Sequence, residues 1–239
     1  FFLGHWEGDW HLRPTYDPKS EIPEERLQWM VDWTNLRQQA IDEAKAAIEF
    51  HDVEVYGYTE VNLVKNGLED KQCLARDVLP KTNPDFVSYS SYDTQGDSTL
   101  LKQALDYIEV RLKPTPGIQG KRVFIGEYGF PAQSHTPEQQ DAEARRLMQA
   151  GLEWGCPFIL YWELFNNEVA PDGKQRGFWL IDDKGAKQPV YRTHQRIYRF
   201  AKRYREAFEA ARGRQPTTAE YCQAAAGFVR SLSGEALAP

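Results

Sequence analysis

The sequence is poor in the features that mark several large function classes. It has 3 cysteines, Cys73, Cys156 and Cys222. Odd in number and far apart, they suggest neither a disulfide framework nor a cysteine-based zinc site, and buried or free thiols are expected. Its 5 histidines are scattered at positions 5, 11, 51, 135 and 194. None falls in a His-x-His or His-Glu-x-x-His spacing, which speaks against a metal-dependent hydrolase built from Asp9, Glu60, Glu127 and a histidine. The lack of a run of 18 apolar residues, with a mean hydropathy of -0.65, excludes a membrane-spanning helix. No glycine-rich phosphate loop follows an expected strand, so a doubly wound nucleotide-binding fold has no support, and no cofactor is called for. Basic charge is also short: 29 Lys and Arg stand against 35 Asp and Glu, for a net charge of -6. That balance argues against nucleic acid as the main partner. The chain starts at Phe1 already in an expected strand, with neither Met nor a basic-then-apolar leader, so the natural start is expected upstream and compartment is not read from these residues.

What the chain does have is aromatic strand ends. Its 239 residues include 7 Trp, 12 Tyr and 12 Phe, enough for one sizeable core with rings left over for flat ligand faces such as sugars. Arg122 to Pro131 reads as a short buried strand that delivers Glu127 into a Gly- and Pro-punctuated turn. The N-terminus uses the same grammar, with an apolar strand, Gly4, and then Glu7 beside Trp6 and Trp10. Pro157 to Glu168 is a third such stretch, an apolar strand that ends in Trp162-Glu163 with Asn166 close behind.

Between these lie further units. Residues 9–21 read as a loop, and residues 23–49 as an amphipathic helix whose apolar stripe includes Leu27, Met30, Val31, Trp33, Leu36 and Ile41. A strand over 53–64 carries Tyr56, Tyr58, Glu60 and Asn62. A charged connection over 65–81 leads to a strand at 85–89, which ends near Tyr89 and Tyr92, and Asp97 or Ser98 caps the next helix. Thr136-Pro137-Glu138-Gln139 is a capping-box pattern whose helix stops at Gly155. A hairpin around Asp183 to Gly185, a helix over 190–211 and an Ala-rich tail from 213 complete the chain. Five strands alternating with helical connections predict an α/β fold with a parallel sheet and right-handed crossovers. Eight such units would close a barrel. An open five-stranded sheet is the other architecture this alternation allows.

These residues resemble strands four to eight of the (β/α)8 barrels of the clan A retaining glycoside hydrolases, over roughly residues 1–212, with 213–239 as an appended helix or tail. In that clan the acid/base Glu ends strand four, the nucleophile Glu ends strand seven and a Trp ends strand eight beneath the sugar. The resemblance implies Glu7 as acid/base, Glu127 as nucleophile within Ile125-Gly126-Glu127-Tyr128-Gly129, and Trp162 as the sugar platform. It implies a β-linked oligo- or polysaccharide as substrate. Tyr92 matches the clan's tyrosine beside the nucleophile, with Tyr89 competing. The clan usually has Asn before its acid/base, and here Trp6 stands there; either His5 or Asn62 takes that contact or the first strand is not the clan's fourth. Trp10, Tyr58, Glu163 and Asn166 are further candidate substrate contacts. Retention needs two carboxyl groups about 5 Å apart, one ionised and one protonated, a split that burial and mutual repulsion produce.

Two consequences follow from the partial match. Three barrel strands are expected before Phe1, because five units leave unpaired edges that would make these residues alone fold poorly or pair with another chain. A rival reading keeps the cleft and discards the chemistry: a catalytically silent carbohydrate-binding barrel, since a fold does not by itself establish activity.

Overall fold

The computed structural model describes residues 1–48 and 53–232. The expected end of the first long helix at Glu49, His51 and the end of the Ala-rich tail lie outside the described residues. The chain forms two compact units, Phe1–Gly126 and Glu127–Pro239.

The first unit holds β1 (Phe2–His5), α1 (Gly8–Leu12), α2 (Glu24–Ala47), β2 (Tyr56–Val61), α3 (Val64–Leu68), α4 (Leu74–Asp77), β3 (Phe86–Ser90), α5 (Ser98–Glu109) and most of β4 (Val123–Tyr128). β1 pairs parallel to β2 with Gly4 opposite Tyr58, and β2 pairs parallel to β3 with Glu60 opposite Ser88. The start of β4 joins through Val87 N–H, which donates to the Arg122 carbonyl at 3.0 Å. Every residue of β3 is buried, as a strand covered on both faces should be.

Helix α2 differs from the expected stripe. Its buried face is Leu27, Met30, Val31, Thr34, Gln38 and Ile41, while Trp33 and Leu36 remain 49% and 61% exposed. The cause is polar. Gln38 donates to Asp85 Oδ2 at 3.0 Å, and the same oxygen accepts Gly57 N–H at 2.9 Å. Satisfying that buried carboxylate turns Gln38 inward and rotates Trp33 and Leu36 away. In α5 the Asp97 side chain accepts Thr99 and Leu100 N–H, as its N-cap position predicts.

The second unit holds the end of β4, α6 (Pro137–Trp154), β5 (Ile159–Tyr161), α7 (Pro189–Arg212) and α8 (Thr218–Leu232). Trp162 N–H donates to the Tyr128 carbonyl at 2.8 Å, so strand order follows chain order, β1-β2-β3-β4-β5. The capping box of α6 forms as read: Thr136 Oγ1 accepts Gln139 N–H, Gln139 Oε1 accepts Thr136 N–H, and Gly155 closes the helix at φ 98°. Helix α8 buries the small residues Cys222, Ala225 and Ala226 with Val229 and Leu232. Its Phe228 stacks on Phe200 of α7 at 4.4 Å, and its Arg230 pairs with Glu153 of α6 at 2.8 Å. Alanine suits this face because it lets two helices approach. The three cysteines are free and buried. Among the described residues no helix is long and apolar enough to cross a membrane.

Candidate functional site

In the first unit, β1 ends at His5 and hands the chain to Trp6, which is 60% exposed. Glu7 follows, half-buried, in the left-handed region at φ 57°. Its carbonyl accepts Trp10 and His11 N–H, both at 3.1 Å, so Glu7 is the N-cap of α1. The expected loop over 9–21 therefore begins as a short helix. Gly8 is required at this bend, because a Cβ there would meet the backbone carbonyl of Glu60.

Asp9 explains why the helix forms. It is fully buried, and its carboxylate accepts Asn62 N–H at 2.8 Å, Leu63 N–H at 3.2 Å and Leu74 N–H at 2.7 Å. One side chain thus ties α1 to the end of β2 and the start of α4. Burial pushes its pKa up, against the opposing pull of those donors and of Arg13.

The same knot claims Asn62. Its Oδ1 accepts Asp9 N–H at 3.3 Å and its Nδ2 donates to Glu60 Oε1 at 2.8 Å, where Ser90 Oγ also donates at 2.9 Å. Asn62, a candidate sugar contact, is buried and hydrogen-bonded within this crosslink. Tyr89 is likewise fully buried, its hydroxyl bonded to Asp93 and to Thr94 Oγ1, whereas Tyr92 is 39% exposed on the following turn. Of the two competing tyrosines, Tyr92 keeps its ring accessible. Burial pushes Asp93 up to about 6.

His5 lies 5.6 Å from His11 and 6.5 Å from Trp33, ring to ring. Burial, then the charge of Arg37 and the neighbouring His11, push its pKa down to about 4. It is a neutral ring near neutral pH, able to offer one donor and one acceptor. Tyr58 packs on Phe124 at 5.5 Å, and Trp10 on Tyr16 at 5.8 Å.

In the second unit, β4 continues through Glu127 to Tyr128, so Glu127 sits in the strand's last residues rather than in a turn. It is half-buried. Tyr128, its neighbour on the opposite face, is fully buried; its hydroxyl donates to His194 Nε2 at 3.0 Å, and its ring meets Tyr161 edge-on at 5.2 Å. His194 Nδ1 donates to the Val190 carbonyl at 2.8 Å, which fixes the tautomer that leaves Nε2 as acceptor. Gly129 is bare because a Cβ would meet the carbonyl oxygen of Trp162.

Trp162 is half-buried at the end of β5, and the Trp162–Glu163 peptide is cis. Its indole Nε1–H donates to Glu168 Oε1 at 3.0 Å, and Arg176 holds the other Glu168 oxygen at 3.1 Å. Glu163 accepts Asn167 N–H at 3.0 Å, and burial pushes its pKa up. Asn166 has no spare capacity: its Oδ1 accepts Gly177 and Phe178 N–H, and its Nδ2 donates to the Glu168 carbonyl and to Gln175 Oε1. This candidate substrate contact forms the clasp that closes the loop over 163–178.

Sequence reasoning missed Glu168 and His194. Each is reached from a residue it did identify, but only through a fold that returns the chain to that point. Among the described residues no group of three His, Cys, Asp or Glu could share a metal ion.

No model of a known protein family matches the sequence, and no curated protein matches it. A solved structure, that of a GH5_18 from Bifidobacterium longum subsp. infantis, is similar at a TM-score of 0.43 and 11% identity over 75% of this chain. The chain spans 42% of that structure's length.

Proposed function

We propose that this chain carries strands four to eight of a (β/α)8 glycoside hydrolase that cleaves β-linked oligo- or polysaccharides with retention. The observation that supports it is the placement of Glu127: a half-buried carboxylate in the last two residues of β4, the end of the strand at which barrel enzymes keep their chemistry. Glu127 attacks the anomeric carbon and displaces the aglycone, while Glu7 gives its proton to the leaving oxygen. Glu7 then takes a proton from water, which hydrolyses the glycosyl-enzyme. Trp162 supplies the apolar face against which the sugar ring stacks.

One observation favours the silent carbohydrate-binding reading. Asn62 spends its amide on Asp9 and Glu60, which leaves the 2-hydroxyl contact to another residue such as His5 or means that the first strand is not the clan's fourth. The test is the stereochemistry of turnover. Hydrolysis of 4-nitrophenyl β-cellobioside, followed by proton NMR from the first minutes, is expected to release the β-anomer of cellobiose before mutarotation. Initial α-anomer means inversion, and saturable binding without turnover means a binding protein.

A further inference from the structure

We infer that Glu168 is the positioning residue for the Trp162 platform, an inference that rests on the glycosidase reading above. An indole on a strand end has two rotatable bonds and is free to turn its face away from a ligand. Here its one polar atom is fastened. Trp162 Nε1–H donates to Glu168 Oε1 at 3.0 Å, a bond to an ionisable acceptor and so stronger than one to a neutral group. Glu168 is itself held at three points. Arg176 Nη1 pairs with its second oxygen at 3.1 Å, Arg176 N–H donates to its carbonyl at 3.0 Å, and Asn166 Nδ2 donates to the same carbonyl at 2.7 Å.

The sequence builds this brace from one loop. Asn166 clasps Gly177 and Phe178, an isolated antiparallel bridge joins Val169 to Gln175, and Glu168 and Arg176 stand opposite each other between the clasp and the bridge. The ring that would stack on sugar therefore takes its angle from the loop after β5 as well as from the strand.

The test compares Glu168→Ala with Glu168→Gln, which keeps an acceptor for the indole and loses the charge. In a two-dimensional proton–nitrogen spectrum, the indole resonance assigned to Trp162 by its absence in Trp162→Phe is expected to move upfield in Glu168→Ala and to stay near its parent position in Glu168→Gln. With 4-nitrophenyl β-cellobioside, Glu168→Ala is expected to raise KM about tenfold and kcat less than threefold, the size of one lost stacking arrangement, while Glu168→Gln stays within threefold of the parent in both. An unmoved indole resonance in Glu168→Ala overturns the tether, whatever the enzyme does. A moved resonance with unchanged KM overturns the positioning role. A parent that turns over no aryl β-glycoside overturns the glycosidase reading underneath, and the resonance still decides the tether.

Discussion

Glu127→Ala is expected to lower kcat on an aryl β-glycoside by at least about a thousandfold, because a nucleophile cannot be replaced by positioning alone. Added azide is expected to restore part of the rate. It attacks the anomeric carbon from the face that Glu127 occupied, and the product is the α-glycosyl azide rather than the free sugar. The fold should survive the change: Glu127 is only half-buried, and β4 is also anchored through Arg122 at its start and through the Tyr128 bond to His194. A Glu127→Ala protein with the parent's melting temperature and the parent's rate would remove Glu127 from the chemistry.

Asp9→Ala is expected to be the most damaging single change to stability. The carboxylate satisfies the N–H groups of Asn62, Leu63 and Leu74, and its loss leaves three buried donors without an acceptor. Each orphaned donor costs about 1–3 kcal/mol, and with partial relaxation the sum is about 3–5 kcal/mol, a large part of the stability of a small domain. Asp9→Asn, which keeps one acceptor oxygen, is expected to lose roughly half as much. Urea unfolding followed by circular dichroism reads both. If Asp9→Ala fails to fold, the Asp9→Asn value carries the comparison. A loss below about 1 kcal/mol for either would mean that water or a backbone shift replaces those bonds.

The two variants divide the account between chemistry and scaffold, and the sequence was legible to a different depth in each. The local signals read well. Thr136, Pro137 and Gln139 lie within one turn and specify their own cap, Asp97 does the same for α5, and the apolar run of β4 needs nothing beyond its own residues to be a strand. Elements held from a distance did not. Helix α1 exists because Asp9 is fastened by backbone more than fifty residues away, so residues 9–21 read as a loop. Trp33 and Leu36 follow the helical period and still face outward, because Gln38 answers Asp85.

The candidate site shows the same division. Strand ends are visible as motifs, so Glu7, Glu127 and Trp162 could be named from their neighbours in sequence. Asn62, Tyr89 and Asn166 carry equally suitable groups, and nothing local distinguishes an amide or phenol offered to a ligand from one spent on the fold. Their partners show where those groups are engaged: Asp9 and Glu60 for Asn62, Asp93 and Thr94 for Tyr89, and Gly177 and Phe178 for Asn166. Glu168 stands six residues after Trp162 and carries no signature of its own. Its role becomes visible when the loop returns it to the indole.

The central claim, that Glu127 forms a covalent bond to the sugar, is tested most directly by trapping that bond. A 2-deoxy-2-fluoro β-glycosyl fluoride slows both steps by withdrawing charge from the oxocarbenium-like transition state, and its good leaving group lets the first step run ahead of the second. Mass spectrometry of the intact protein is expected to show one added fluorosugar, and proteolysis to place it on the peptide that contains Glu127. A protein that hydrolyses the parent glycoside yet carries no adduct, or carries it on another carboxylate such as Glu163, would contradict the account.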